Sequence, residues 1–158
     1  MERSLSLEGD FFMKKIKVLF VGSGNSARSQ MAEALLKRYA GDRFEAYSAG
    51  IEPEGIHAST RQVLKEIGID LTSQYSKDLG EYMGRIRFGY LITVCDNAEK
   101  KCPTALPGVS SRLHWPFENP TTLGGTEEEK LEKFREVRDQ IDQRIRSWLT
   151  EQGVTVTE

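Results

Sequence analysis

Residues 18–29 read VLFVGSGNSARS, a β-branched and aromatic run that stops at two glycines and passes at once into helix-forming residues. Ile16 to Val21 suits a buried strand, Gly22 and Gly24 a tight turn, and SARSQMAEALLKRY, from about Ser26 to Tyr39, a helix with Met31, Ala34 and Leu35 on one face and Gly41 as its stop. A strand turning through such a loop into a helix brings unpaired N–H groups to the positive end of the helix dipole, and glycine lets the main chain approach a ligand. An oxyanion fits there. Ser23, Gly24, Asn25, Ser26 and Ala27 would hold it, and the Arg28 guanidinium would add a planar fork of donors for two oxygens of phosphate, arsenate or sulfate. The same letters also allow an ordinary strand-to-helix turn with Arg28 in a surface ion pair. They satisfy the dinucleotide fingerprint G-x-G-x-x-A too, at Gly22, Gly24 and Ala27, but that reading needs an acid at the end of the next strand. Ser48-Ala49-Gly50 stands there, and Glu45 comes early.

Outward from this stretch, FEAYSAG (Phe44 to Gly50) reads as a second strand and STRQVLKEIG (Ser59 to Gly68) as a helix with Val63, Leu64 and Ile67 inward. FGYLITVCD (Phe88 to Asp96) is the third strand and RLHW (Arg112 to Trp115) a weaker fourth. Near the end, Thr126 and Glu129 form a capping box, and Leu131, Phe134, Val137, Ile141, Ile145 and Trp148 recur at steps of three or four. This alternation predicts an α/β fold: a single-domain, four-stranded parallel sheet with helices on both faces and ligands at the carboxyl ends of its strands. The opening loop and CDNAEKKC then share one edge, because each follows a core strand.

The 158 residues, 38% hydrophobic and 29% charged, suit one core. Residues 1–14 carry no periodic pattern and are read as a mobile N-terminal extension, 15–150 as the domain and 151–158 as a C-terminal tail. A net charge of −2 gives no broad basic field, which argues against nucleic-acid binding. No apolar run approaches the ~20 residues that cross a bilayer, and the N-terminus lacks a signal-peptide pattern, so a cytoplasmic location without membrane contact is expected. Two cysteines, Cys95 and Cys102, are too few for a disulfide framework and lack zinc-finger spacing; they are expected as thiols in a reducing compartment.

The runs GNSARSQMAEALL, YSAGIEPEGIHAST, ITVCDNAEKKCP and HWPFENP, in that order, closely resemble the thioredoxin-coupled arsenate reductases built on the low-molecular-weight tyrosine phosphatase fold. The resemblance covers nearly everything from Lys15 to Trp148. It implies a loop of form C-x5-R, in which a thiolate at the first position attacks the oxyanion while amides and the arginine hold its oxygens. Arg28 matches the arginine, and Ser23 to Ala27 match the five positions before it. Gly22 stands where the resemblance implies the nucleophilic cysteine.

Cys95 and Cys102 match the two later redox cysteines, which implies a cycle ending in a disulfide that thioredoxin reduces and requires mobile, accessible thiols. The polar DNAEKK between them is expected to form a short displaceable segment. Asn119 replaces the usual Asp, a general acid or base; an amide cannot transfer that proton, and adjacent Glu118 is not expected to compensate. Asn25 and Ser48 match positions that brace the loop. Lys77 is expected to be solvated, or else to sit where some family members hold a monovalent cation beside the loop; no other cofactor and no metal is expected. His57 and His114 have no ligand spacing and are expected in structural or surface roles.

Three functional readings remain open on the sequence. One is an arsenate reductase-like protein that keeps its oxyanion site but not its covalent cycle. The second is an inactivated copy of an active reductase or phosphatase. The third is a dithiol redox or arsenite-binding module built on Cys95 and Cys102.

Overall fold

The computed structural model describes residues 14–122 and 124–157; the expected N-terminal extension, apart from Lys14, lies outside them. The elements are β1 (Ile16–Gly22), α1 (Arg28–Ala40), β2 (Phe44–Gly50), α2 (Ala58–Lys65), β3 (Phe88–Thr93), α3 (Asp96–Lys101), β4 (Val109–His114) and α4 (Glu127–Glu151). Single 3-10 turns lie at Leu79–Glu81 and Pro120–Thr122. The four strands form one parallel sheet in the order β2-β1-β3-β4. From β1 the chain crosses to β2 on one side and later returns to β3 on the other, so the strand order reverses beside the end of β1. Such a switch point opens a crevice at the carboxyl ends of the strands, and Gly22 ends β1 there.

Strict alternation along β1 builds two cores. Val18 and Phe20 face one way, into a cluster with Met31 and Leu35 of α1, Val63 and Leu64 of α2, and Phe134, Val137, Ile141, Ile145 and Trp148 of α4. Leu19 and Val21 face the other way, against Leu79, Leu91, Ala98, Cys95 and Cys102. Helices α1, α2 and α4 therefore cover one face of the sheet and α3 the other, as the alternation of elements predicts. α4 begins at the expected capping box: Glu129 N–H donates to Thr126 Oγ1 at 3.1 Å and Thr126 N–H donates to Glu129 Oε1 at 2.8 Å. No helix among the described residues is long and apolar enough to cross a membrane.

Two strand boundaries change. β3 stops at Thr93 rather than Asp96, because Cys95 caps α3 instead of extending the strand. β4 starts three residues before Arg112, since Val109 already pairs with Phe88. The DNAEKK stretch, expected as a short displaceable segment, takes the form of a helix, and Arg112 clamps its end by donating to the carbonyls of Glu99, Cys102 and Pro103. After α4 the chain folds back, burying Val154 and placing Thr157 N–H on the Tyr39 carbonyl at 2.9 Å, so the last residues described are held to the domain.

α2 is pinned to α4 by Glu66, whose carboxylate accepts from Arg135 at 2.8 Å and Arg138 at 3.1 Å. The Arg135 hydrogen bonds hold its carboxyl down at about 2. A depressed carboxyl stabilises the fold above its unfolded value, about 4.3, and loses that contribution as pH falls through the folded one. Glu66→Gln should therefore lower the urea midpoint at pH 7, and the gap from the wild type should close between about pH 4.3 and pH 2; a gap that persists at pH 2 would show that the pair is not its source.

Candidate functional site

The loop after β1 is shaped through its carbonyls. Gly22 O accepts from Ile51 N at 3.1 Å, Ser23 O from Glu52 N at 2.8 Å, and Gly24 O from Glu54 N at 2.9 Å. Asn25 O accepts from Gln30 Nε2 and Ser76 Oγ, both at 3.1 Å, and Ser26 O from His57 N at 3.0 Å and Thr60 Oγ1 at 2.9 Å. With every carbonyl tied to a neighbouring segment, none of the N–H groups from Ser23 to Ala27 has a protein acceptor among the described residues. These residues line a cavity of about 150 Å³, bounded by Gly22 to Ser29 together with Glu54, Asn119 and Thr121. Five unpaired donors at a helix start are an arrangement suited to an anion. The space is too small for a dinucleotide, since ligand pockets of drug-sized molecules run to roughly 300–1,000 Å³.

Asn25 fixes the loop's shape. Its φ of 51° is left-handed, a conformation asparagine tolerates better than most residues. Its side chain is buried, donating to Ser29 Oγ at 2.8 Å and Ser48 Oγ at 3.0 Å and accepting from Lys77 N at 2.8 Å. Gly50 must stay bare for this brace, because a Cβ there would come within 2.9 Å of Asn25. Ser48 in turn donates to Glu33 at 2.5 Å, and Glu33 pairs with the Lys77 ammonium at 3.6 Å. Lys77 is thus not solvated: it is 3% exposed, with burial lowering its pKa against the opposing pull of Glu33. Its ammonium occupies the loop-supporting network, and among the described residues no cluster of His, Cys, Asp and Glu is arranged to hold a metal.

Gly22 forms the cavity floor. A Cβ there would lie 3.1 Å from Ser29 Oγ and 3.6 Å from Val94 Cγ2, and the backbone is not left-handed, so a small side chain fits after a shift of a few tenths of an ångström. Arg28 is the first residue of α1, half-buried, and its guanidinium donates to Phe117 O at 3.0 Å. It makes no ion pair with a described residue, which removes the surface-pair alternative; burial lowers its pKa while Cys95 opposes the shift. Asn119 Oδ1 accepts from Thr121 N at 3.0 Å and Thr121 Oγ1 at 2.7 Å, leaving its amide nitrogen as the remaining donor. Glu118 pairs with Lys133 at 2.9 Å and does not line the cavity.

Both cysteines are free and buried, 5% and 2% exposed. The expected accessible thiols are not present in this conformation, because the polar residues of DNAEKK form the outer face of α3 while the sulfurs join the core. Cys95 Sγ lies 3.3 Å from Ser23 Oγ, at the edge of the loop, and Ser23 Oγ also accepts from Asn97 at 2.8 Å. Burial pushes the Cys102 thiol up. Seven helical steps span about 10 Å, whereas a disulfide needs Cα atoms about 4.4–6.8 Å apart. α3 must unwind before Cys95 and Cys102 can join.

The histidines are structural. His57 caps α2 through Ser59 N–H at 3.0 Å and stacks on Phe134, and His114 bridges Thr93 at 2.8 Å and Asp96 at 3.0 Å. Sequence reasoning missed Glu54, Thr121 and Glu33. Glu54 lies within the IEPEG loop and Thr121 beyond a proline, with no periodicity to aim them, while Glu33 on a helix reads as a solvated charge until Ser48 and Lys77 are brought beside it.

The sequence pattern of the low molecular weight phosphotyrosine protein phosphatases matches residues 17–156. An arsenate reductase of Halalkalibacterium halodurans is 41% identical over 86% of this chain and 96% of its own length. One from Bacillus subtilis strain 168 is also 41% identical, over 83% of this chain and 93% of its own. Among solved structures, an arsenate reductase in the phosphate binding state superposes with a TM-score of 0.69 at 28% identity, covering 86% of this chain and 98% of that one. Together with the sheet order and the loop at its switch point, these likenesses show that the chain belongs to the low molecular weight phosphotyrosine protein phosphatase family, with arsenate reductases among its relatives.

Proposed function

We propose that this protein binds a tetrahedral oxyanion of the arsenate and phosphate type in the Gly22–Arg28 loop, as an arsenate reductase-like protein that does not run the covalent cycle. The observation that carries the reading is the set of unpartnered N–H groups from Ser23 to Ala27 beside the Arg28 guanidinium. Support for the ligand class comes from the relatives named arsenate reductase and from the neighbour described in a phosphate binding state. Without a side chain at Gly22 there is no sulfur to attack the anion from the cavity floor, and Asn119 cannot pass a proton. The missing thiolate is also a missing negative charge, so loss of turnover is compatible with firm binding. The Lys77 ammonium supplies the positive charge otherwise assigned to a monovalent cation beside the loop, and a reducing cytoplasm with thioredoxin as partner fits the two free thiols.

Calorimetry with arsenate and phosphate should show binding to the wild type that Arg28→Ala weakens by about tenfold or more, as expected for a charge-assisted pair of hydrogen bonds; no heat with either anion rejects the site. Gly22→Cys, alone and with Asn119→Asp, should create thioredoxin-coupled arsenate reduction or aryl phosphate hydrolysis absent from the wild type. Activity restored by Gly22→Cys alone identifies an inactivated copy of an enzyme, and turnover by the wild type contradicts the reading.

A second reading, a dithiol module, draws on the closeness of Cys95 to the loop. It predicts that mild oxidation yields a Cys95–Cys102 disulfide that thioredoxin reduces, at a rate limited by the unwinding of α3. Thiol counting and peptide mapping check this, and two thiols that survive oxidation exclude it.

A further inference from the structure

We infer that Glu54 is a specificity-determining residue: its carboxylate accepts a hydrogen bond from an oxyanion that still carries a proton, hydrogen arsenate or hydrogen phosphate, and rejects sulfate, which carries none. The inference rests on the oxyanion-binding reading above and names the ligand class which that reading leaves open.

The backbone holds Glu54 against the loop. Its N–H donates to Gly24 O at 2.9 Å, continuing the tethers from Ile51 to Gly22 and Glu52 to Ser23. The side chain then folds over Gly24, with Oε1 only 2.7 Å from where a Cβ on that glycine would lie. Gly24 must therefore be bare for the carboxylate to rest there. Among the described residues this carboxylate has no hydrogen bond or ion pair, and it is the acidic side chain lining the cavity.

The nitrogen groups that line the cavity all donate. The N–H groups of Ser23 to Ala27 are unpaired, Arg28 carries a guanidinium, and Asn119 has its oxygen engaged by Thr121 and its amide nitrogen left. An anion made only of acceptor oxygens satisfies these donors but sets an oxygen against Glu54, acceptor against acceptor and negative against negative. Hydrogen arsenate and hydrogen phosphate remove the conflict, because their hydroxyl donates to the carboxylate. Glu54 is exposed at the rim of the cavity; an acceptor set there favours a ligand whose hydroxyl can reach it, and a repulsive contact with the wrong ligand adds to the difference. The same carboxylate lowers affinity for anions in general, which separates this device from simple charge attraction.

The test is calorimetric titration of the wild type and Glu54→Gln with arsenate, phosphate and sulfate at pH 7 and constant ionic strength. The wild type should bind arsenate and phosphate at least about tenfold more tightly than sulfate, and Glu54→Gln, of the same size but able to donate to sulfate, should narrow that ratio by about tenfold, mainly through tighter sulfate binding. A ratio unchanged in the variant, or sulfate bound by the wild type as well as phosphate, overturns the role of Glu54 while leaving an oxyanion site in place. Binding of no anion by either protein overturns the oxyanion reading and this inference with it.

Discussion

The structure depends on the direction of five carbonyl groups. From Gly22 to Ser26 each is bonded outward to segments 51–60 and 74–77 or to α1, and a peptide unit whose oxygen is held on one side turns its N–H to the other. No side chain in the loop need contribute for the cavity to be lined with donors, so the arrangement survives the absence of any functional group at Gly22. Asn25 is the loop residue whose side chain the geometry demands, being at once left-handed and the centre of a buried set of hydrogen bonds. Buried polar networks of this kind are stable when every member is satisfied, and the chain through Ser48, Glu33 and Lys77 completes this one.

Under the proposed reading this scaffold separates binding from chemistry. The cradle is a property of the backbone at the switch point of a parallel sheet, whereas the covalent step needs a sulfur above Ser29 and a proton donor at residue 119. Under the proposed reading the first persists without the second. Cys95 and Cys102 remain beside the loop, but as core residues flanking a clamped helix rather than as exposed thiols. Their chemistry is then governed by how readily α3 opens.

Much of this was legible in the sequence, for reasons tied to local pattern. β2 falls on its expected residues because FEAYSAG is bounded by charge on one side and glycine on the other, and α4 begins at its capping box because that signal is contained in four residues. The loop was readable because glycine spacing and a following helix suffice to describe it. Long-range pairing was not readable: Lys77 reads as a surface lysine until the fold sets it beside Glu33, and Glu54 joins the cavity only through the parallel tethering of residues 51–54 to the loop. The helical form of DNAEKK was not readable either, because six residues are too few to show a period, and their polarity marks the outer face of the helix.

The central claim is that amides of the loop, with Arg28, receive the anion. Titration of isotopically labelled protein with phosphate, followed by amide NMR, tests it most directly. The account predicts saturable shifts confined to the N–H groups of Ser23 to Arg28 and the Arg28 side chain. Saturable shifts elsewhere on the molecule, with those amides unmoved, would contradict it.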